Sequence, residues 1–158
     1  MADIVTQKNI GAMVDVVRAS AAASAVAAGT GDATTTTGST IDRMGYGGSM
    51  PRSALFSVIY DATLASGKTL SMGYAVQNSP DNSTWTDYQT ATYAVVATGA
   101  TGGSVAAGEF NIQVDLNNAS RYIRINSNPD LNASGTDTAV TRAVAALGGF
   151  DRLPASNA

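Results

Sequence analysis

The 158-residue chain contains no cysteine and no histidine. Without cysteine it forms no disulfide bond and offers no thiolate nucleophile or thiolate metal ligand. Without histidine it lacks the side chain that most often transfers protons near neutral pH, which is also a common zinc ligand. Glu109 is the only glutamate, and the aspartates are scattered rather than paired. The sequence therefore predicts a non-enzymatic protein that uses no metal ion and no other cofactor.

Basic charge is also scarce. Nine basic residues stand against twelve acidic residues, for a net charge of −3, and Lys8 and Lys68 are the only lysines. No cluster of basic side chains is available to neutralise several phosphates, as nucleic-acid binding requires. No apolar run approaches the roughly 20 residues that cross a bilayer, and the N-terminal MADIVTQKN lacks the pattern of a signal peptide. We expect neither a nucleic-acid partner nor a membrane partner.

Large apolar side chains are few. The chain contains 7 leucines, 7 isoleucines, 13 valines and 3 phenylalanines, which together make up 30 of its 158 residues. A core built from so few bulky residues is stabilised less per residue, because burial contributes roughly 25 cal/mol for each Å² of apolar surface. Association with other copies or with neighbouring proteins is one way in which such a domain gains stability.

The apolar residues that are present alternate with polar ones. In TLSMGYAVQNS, the side chains of Leu70, Met72, Tyr74 and Val76 fall on one face. SALFSVIY, EFNIQVDLNN, RYIRINSN and TAVTRAVAALGGF also favour strands, with turn-forming residues between them. The pattern predicts seven to nine short strands and no helix. The predicted fold is all-β, a single antiparallel β-sandwich of jelly-roll-like type.

The first forty residues differ from the rest in composition. ASAAASAVAAGTGD is rich in alanine and serine, and it is followed by TTTTGST. A short helix, a strand with small side chains and a mobile arm are all compatible with this stretch, and its TTTTGST ending favours strand and loop. We therefore divide the chain into residues 1–40, an N-terminal arm with the first strand or strands, and residues 41–158, the β-sandwich domain.

The stretch NSPDNSTWTDYQ contains the only tryptophan of the chain. In one interpretation, Trp85 and Tyr88 stack on a sugar ring while Asp81, Asn82 and Asp87 form hydrogen bonds with it. In the other, PDNS turns the chain and Trp85 covers the edge of the sandwich. The second interpretation is favoured, because a lone tryptophan among few bulky residues more often serves packing.

Other candidate sites have weaker signals. Tyr46 and the other tyrosines are candidates for interface anchors, since tyrosine combines apolar area with a polar tip. The glycines of IDRMGYGGSMPR do not predict a phosphate-binding loop, because a strand rather than a helix follows them. Oxygen-bearing side chains alternate at Asn128, Asp130, Asn132 and Ser134. They do not predict a calcium site, because the loop has too few acidic residues and no closing glutamate.

Four segments resemble a known family. VQNSPDNSTWTDYQ, together with the upstream IDRMGYGGS, the later RYIRI and the C-terminal LGGFDRLPAS, resembles structural proteins encoded in the head-gene region of tailed bacteriophages. The resemblance runs from about Ile41 to the end of the chain. The hairpin and RYIRI are also similar to those of discoidin-like carbohydrate-binding sandwiches.

The phage resemblance implies a non-enzymatic virion component, most simply a capsid decoration or cement protein. Such a protein is made in the cytoplasm of the bacterial host and lies on the outer surface of the capsid. Its implied partners are the major capsid protein and other copies of itself, in a cyclic homo-oligomer such as a trimer. A glycan-binding virion module for host attachment and a head–tail connector or tail component are the alternatives. The N-terminal arm is a candidate to extend over a neighbouring subunit.

Overall fold

The computed structural model describes residues 10–132 and 135–152. One turn of helix, α1 (Ile10–Met13), precedes ten strands. The strands are β1 (Asp15–Arg18), β2 (Ala23–Val26), β3 (Thr36–Thr37), β4 (Ile41–Asp42), β5 (Ser53–Leu64), β6 (Thr69–Ser79), β7 (Thr86–Thr98), β8 (Ser104–Asp115), β9 (Tyr122–Leu131) and β10 (Thr138–Gly148). Three parts of the chain lie outside the described residues. They are residues 1–9 of the arm, residues 133–134, which include Ser134, and residues 153–158, which include the end of the LGGFDRLPAS segment.

The strands form two antiparallel sheets. In sheet I, β1 and β2 both pair with one edge of β10, which continues to β5 and then β8. In sheet II, β3 and β4 both pair with one edge of β9, which continues to β6 and then β7. When each pair of short strands is counted as one interrupted strand, the two sheets contain four strands each. Most connections cross between the sheets, and this is the jelly-roll topology, so the all-β sandwich prediction is confirmed.

The core lies between the sheets and follows the alternation in the sequence. Along β5, Phe56, Val58 and Leu64 are buried, while Leu55 and the other odd-numbered residues face outward or are half-buried. The other strands of sheet I add Ile112, Val114 and Leu147, and sheet II, which faces them, contributes Leu70, Met72, Val76, Ile123 and Ile125. Burial of each such side chain stabilises the fold by roughly 1.5–3 kcal/mol. Alanine fills much of the remaining space on β10, where Ala139, Ala143 and Ala145 are buried.

One guanidinium group holds the loops together at one end of the sandwich. The Arg43 side chain is 3% exposed, although it lies in the glycine-rich IDRMGYGGS segment. It donates hydrogen bonds to the carbonyl oxygens of Pro51 (2.8 Å) and Leu116 (2.7 Å), and to those of Ala119 and Ser120. These contacts tie the segment after β4 to the connection between β8 and β9.

The N-terminal strands cover the outer edges of β10 and β9. Between β1 and β2, where backbone pairing is interrupted, the hydroxyl oxygen of Ser20 accepts a hydrogen bond from the Ala143 N–H at 2.8 Å. Between β3 and β4, Gly38 crosses so close to β9 that a Cβ atom would lie 2.1 Å from the Ile125 carbonyl oxygen. Residues 15–37 of the segment assigned to an arm thus contribute strands to both sheets. The β2 strand agrees with the strand-and-loop interpretation of the alanine-rich stretch.

Several element predictions are wrong in detail. Six of the strands are 10 to 13 residues long rather than short. Residues 86–98, TDYQTATYAVVAT, form a single strand, β7, and a one-turn helix precedes β1. Pro129 does not open a loop, because β9 continues through it to Leu131. Its neighbour in the register is Met72 of β6.

Aromatic side chains close the side of the sandwich where β7 and β8 form the sheet edges. The rings of Tyr74 and Phe110 pack with centroids 5.5 Å apart. The Tyr60 hydroxyl donates to the Val96 carbonyl oxygen at 2.8 Å, and the Tyr88 hydroxyl donates to the Asp115 carbonyl oxygen at 2.6 Å. These bonds join strands of different sheets, and they satisfy carbonyl groups that would otherwise lie at an open edge.

Candidate binding surfaces

The turn before β7 is organised by one carboxylate. Asp81 Oδ1 accepts hydrogen bonds from the backbone N–H groups of Thr84 (2.8 Å) and Ser83 (2.9 Å), and from the hydroxyl of Ser79 (2.9 Å). The backbone N–H groups of Thr84 and then Ser83 are the main reason that the pKa of Asp81 lies well below its ordinary value. The next residue, Asn82, has a φ of 59°, which asparagine tolerates in turns. Asp81 therefore shapes the hairpin.

We expect Asp81→Ala to destabilise the protein at pH 7 and to matter progressively less in acid. Because the folded-state pKa is lowered from 3.8, the stability due to ionised Asp81 is fully present above about pH 4. It is lost as the pH falls through the lower, folded-state value. Urea unfolding between about pH 7 and pH 2 measures this difference.

Asp151→Ala is the matched control, because Asp151 pairs with Arg52 at an exposed position, with side chains 59% and 56% accessible. This variant should remain close to the wild type at every pH. A destabilisation by Asp81→Ala that stayed constant down to about pH 2 would contradict a contribution from the ionised carboxylate.

Trp85 lies on the outer face of sheet II, over Arg124 of β9. The centre of the Arg124 guanidinium is 4.0 Å from the centroid of the indole ring, a favourable cation–π geometry. Arg124 Nε also donates to Gln77 Oε1 at 2.9 Å, and Gln77 Nε2 donates to Asp87 Oδ1 at 2.8 Å. Arg124, Gln77 and Asp87 are aligned across β9, β6 and β7. Trp85 and Asp87 thus border one polar network.

Tyr88 faces away from that network. Its hydroxyl reaches Asp115 of β8, and the neighbouring Gln89 donates to the carbonyl oxygen of Gln113 at 3.3 Å. The structure therefore brings Trp85 and Asp87 together but places Tyr88 on the other side of β7. A sugar platform made of Trp85 and Tyr88 together is not formed.

Tyr46 lies inside the molecule. It is 5% exposed, and its ring packs against Phe150 with centroids 5.3 Å apart. Burial, with Asp15 and Asp42 as further causes, raises the pKa of Tyr46 to about 12. In this chain Tyr46 fixes the end of the sandwich near residue 150, and its side chain is not presented to a partner.

The described residues contain no group of three acidic side chains that would hold a metal ion. Of the alternating oxygen-bearing residues, Asn128 and Asp130 lie in β9. Asn132 has a structural role, because its Oδ1 accepts a hydrogen bond from the Thr69 N–H at 3.1 Å. Within residues 10–132 and 135–152, no helix has the length and hydropathy needed to span a membrane.

Two surfaces that the sequence did not reveal appear once the sheets are formed. The outer face of sheet I carries a concave apolar groove of about 900 Å³. The outer face of sheet II carries a smaller, polar trough of about 350 Å³ beside the Trp85 network. Each is assembled from three or more strands that are far apart in sequence, so only the strand pairing could have located them.

Comparisons with known proteins find similar solved structures but no matching family. No protein-family model matches the sequence, and no curated protein matches it. Among similar solved structures is infectious bursal disease virus, Gx strain, with a TM-score of 0.46 and 16% identity, covering 91% of this chain and 34% of the matched chain. Another is the VP2 subviral particle of that virus, with a TM-score of 0.43 and 14% identity, covering 86% of this chain and 32% of the matched chain. Derived T=1 particles of the virus are a third (0.43, 15%, 86% and 31%). The chain spans about a third of the length of each matched chain.

Proposed function

We propose that this protein is a non-enzymatic structural component of a virion, a decoration or cement protein that docks onto the outer shell of a phage capsid through the outer face of sheet I. It contacts the major capsid protein there and joins neighbouring capsid subunits. The phage resemblance of the hairpin and of IDRMGYGGS supports the class of protein. The apolar groove supports the mode of binding.

The groove is the observation that carries the proposal. The register aligns Val16, Ala146, Leu55 and Gln113 in one row across β1, β10, β5 and β8. Ile10 lies beside this row and is 73% exposed, and Val16 is 64% exposed. Exposed apolar side chains gathered in a concavity mark interaction sites more often than scattered ones do. We call this surface, with Ile10, Val16, Leu55 and Ala146, the docking face.

The outer surface of sheet I beyond the docking face carries one charged pair and further exposed apolar residues. Beyond the groove, Arg142 pairs with Asp61 at 3.1 Å, with both side chains about half exposed. Val26 and Val105, at the far end of the same sheet face, are 40% and 76% exposed. A partner that covers these apolar residues and the Arg142–Asp61 pair needs charges placed to match that pair, since such charges add specificity. Repetition over a symmetric shell strengthens weak individual contacts.

Shell binding by surface variants tests the proposal. We expect Val16→Lys and Leu55→Lys each to weaken cosedimentation with capsids assembled without this protein by about tenfold or more, because a buried side chain contributes roughly 1.5–3 kcal/mol. Val95→Lys is the matched control, because Val95 is 60% exposed on sheet II. Unchanged binding by both sheet I variants, or no binding by the wild type, would refute the docking face.

Location on the particle tests the class of protein. A density map of the intact virion should show copies on the shell, arranged in cyclic homo-oligomers, a trimer being the simplest match to the threefold positions of an icosahedral shell. Density confined to the tail or to the portal vertex would instead identify a tail or connector component. The same map decides whether residues before Ile10 reach a neighbouring subunit.

A further inference from the structure

We propose that the polar trough on the outer face of sheet II binds a neutral saccharide. The trough and the docking face lie on the outer faces of different sheets, on opposite sides of the sandwich. A copy seated on a shell through sheet I would thus present the trough to solvent. The inference does not depend on the docking role.

The floor of the trough is made of small residues. Gly73 and Ala75 of β6 and Ala91 of β7 line it, so the surface drops to the level of the backbone there. Neighbouring positions carry longer side chains, which form the walls. A volume of about 350 Å³ is at the small end of the range for ligand sites, and it suits one or two sugar rings rather than a long peptide.

An aromatic ring forms one wall. Tyr93 is 46% exposed, and its ring lies beside Gly73, with Cδ1 and Cε1 each 3.6 Å from the point where a Cβ would stand. Because Gly73 has no side chain and is itself buried, the ring packs directly against the backbone at this end of the floor. Saccharides present a face of C–H groups that packs against aromatic rings, because such rings combine apolar area with a negative face.

Hydrogen-bonding groups form the other walls. Asp87 is exposed and uses Oδ1 for Gln77, which leaves Oδ2 facing solvent with no partner among the described residues. Asn128 adds an amide group, and Thr35 and Thr92 add hydroxyls, whereas the amides of Gln77 and Asn126 are engaged within the wall. Fixed carboxylate and amide groups of this kind select ligands that carry several hydroxyls, since each unmatched polar group would cost affinity.

The charge of the trough favours a neutral ligand. Asp87 is the only charged side chain among the described residues that line the trough. The nearby Arg124 is already engaged by the Trp85 ring and by Gln77. An anionic ligand would face Asp87 without a free cation, so phosphate and acidic sugars are disfavoured. The hydroxyl groups of a neutral sugar can donate to the carboxylate.

The shared network makes the site rigid before ligand arrives. Gln77 Oε1 accepts from both Arg124 Nε and Asn126 Nδ2, at 2.9 and 3.0 Å, while its amide nitrogen holds Asp87. Three wall residues are therefore fixed by one another, and little side-chain freedom is left to lose on binding. Trp85 acts on the trough only through Arg124, and its role is positioning.

Saccharide binding by the full chain is the test. Titration with glucose, galactose, N-acetylglucosamine and their neutral disaccharides, followed by NMR, should move the resonances of Tyr93, Gly73 and Asn126 for at least one sugar. We expect Tyr93→Ala to weaken binding by about tenfold. Gly73→Val should abolish it at concentrations that saturate the wild type, because the new side chain occupies the floor.

Two variants are the controls. Val95→Ala removes an exposed apolar side chain of the same strand that does not line the trough, and Tyr88→Phe removes a hydroxyl on the other side of β7. Both should bind as the wild type does. No response to any of the sugars, or equal binding by Gly73→Val in a folded state, would overturn the proposal. Loss of shell binding by sheet I variants would leave this result unchanged, so the two proposals fail separately.

Discussion

Arg43→Met should lower the free energy of unfolding by about 3–5 kcal/mol, because several buried carbonyl oxygens lose their donor and each unmade hydrogen bond costs about 1–3 kcal/mol. The guanidinium is buried and donates to four carbonyl oxygens. Methionine fills a similar volume but donates no hydrogen bond, so the carbonyl oxygens of Pro51, Ala119 and Ser120 lose this donor. The Leu116 oxygen still accepts from the Ala119 N–H. Because domains are stable by only about 5–15 kcal/mol, the variant should be unfolded at a much lower urea concentration.

Two further substitutions separate this effect from a simple loss of charge. Arg43→Lys keeps the charge but cannot reach four carbonyls at once with a single ammonium, so its stability should fall between that of wild type and Arg43→Met. Arg52→Met removes a neighbouring arginine whose ion pair with Asp151 is exposed, and it should be indistinguishable from wild type. Equal stability of Arg43→Met and Arg52→Met in urea would contradict a structural role for the buried guanidinium.

Gly38→Ala should destabilise the fold by about 3 kcal/mol, the upper end of what overpacking usually costs. A Cβ at Gly38 would stand 2.1 Å from the carbonyl oxygen of Ile125 and 2.7 Å from that of Ala19. Both are backbone atoms of paired segments, so the clash cannot be relieved by turning a side chain. The N-terminal segment would have to lift from β9, and thermal or urea unfolding would record the loss.

Gly73→Ala is the matched control for that experiment. Its Cβ would meet the Tyr93 ring at 3.6 Å and the Ala91 carbonyl oxygen at 3.8 Å, both ordinary contacts. Alanine also restricts the unfolded chain more than glycine does, so stability should be unchanged or slightly higher. If Gly38→Ala were as stable as Gly73→Ala, the close crossing at Gly38 would not be a constraint on the fold.

The alternation of side chains was sufficient to predict the strands but not their partners. Leu70, Met72 and Val76 are buried on the predicted face of β6, whereas Tyr74 is half-buried, because register shifts against β7 turn that part of the strand. Pro129 indicates a loop, since proline lacks an N–H donor and is rarely found inside a sheet. It continues a strand nonetheless, and tertiary pairing with β6 decided the outcome.

The candidate site could be predicted only in part, because its contacts join distant segments. Trp85 and Tyr88 are three positions apart, so alternation along an extended chain puts them on opposite faces of the sheet, as their contacts show. That Trp85 meets Arg124 depends on β9 following β6 in sheet II, which no local pattern encodes. Tyr46 is a candidate interface anchor on residue type alone, since tyrosine combines apolar area with a polar tip, and only the fold shows that it is buried. No sequence pattern singles out Arg43, because only the fold reveals the carbonyls that surround it.

The position of β9 and β10 bears on how the chain is made. In sheet I, β10 lies between the short strands β1 and β2 and the long strand β5. In sheet II, β9 lies between β3 and β4 and the long strand β6. Both β9 and β10 are translated after all the other strands. Asp15 must find Leu147 across 132 residues of sequence. Long-range pairing of this kind slows folding and leaves earlier strands exposed in the meantime. Nascent chains that stop before residue 138 should therefore stay protease-sensitive on the ribosome, because sheet I lacks its inner strand until synthesis has passed β10.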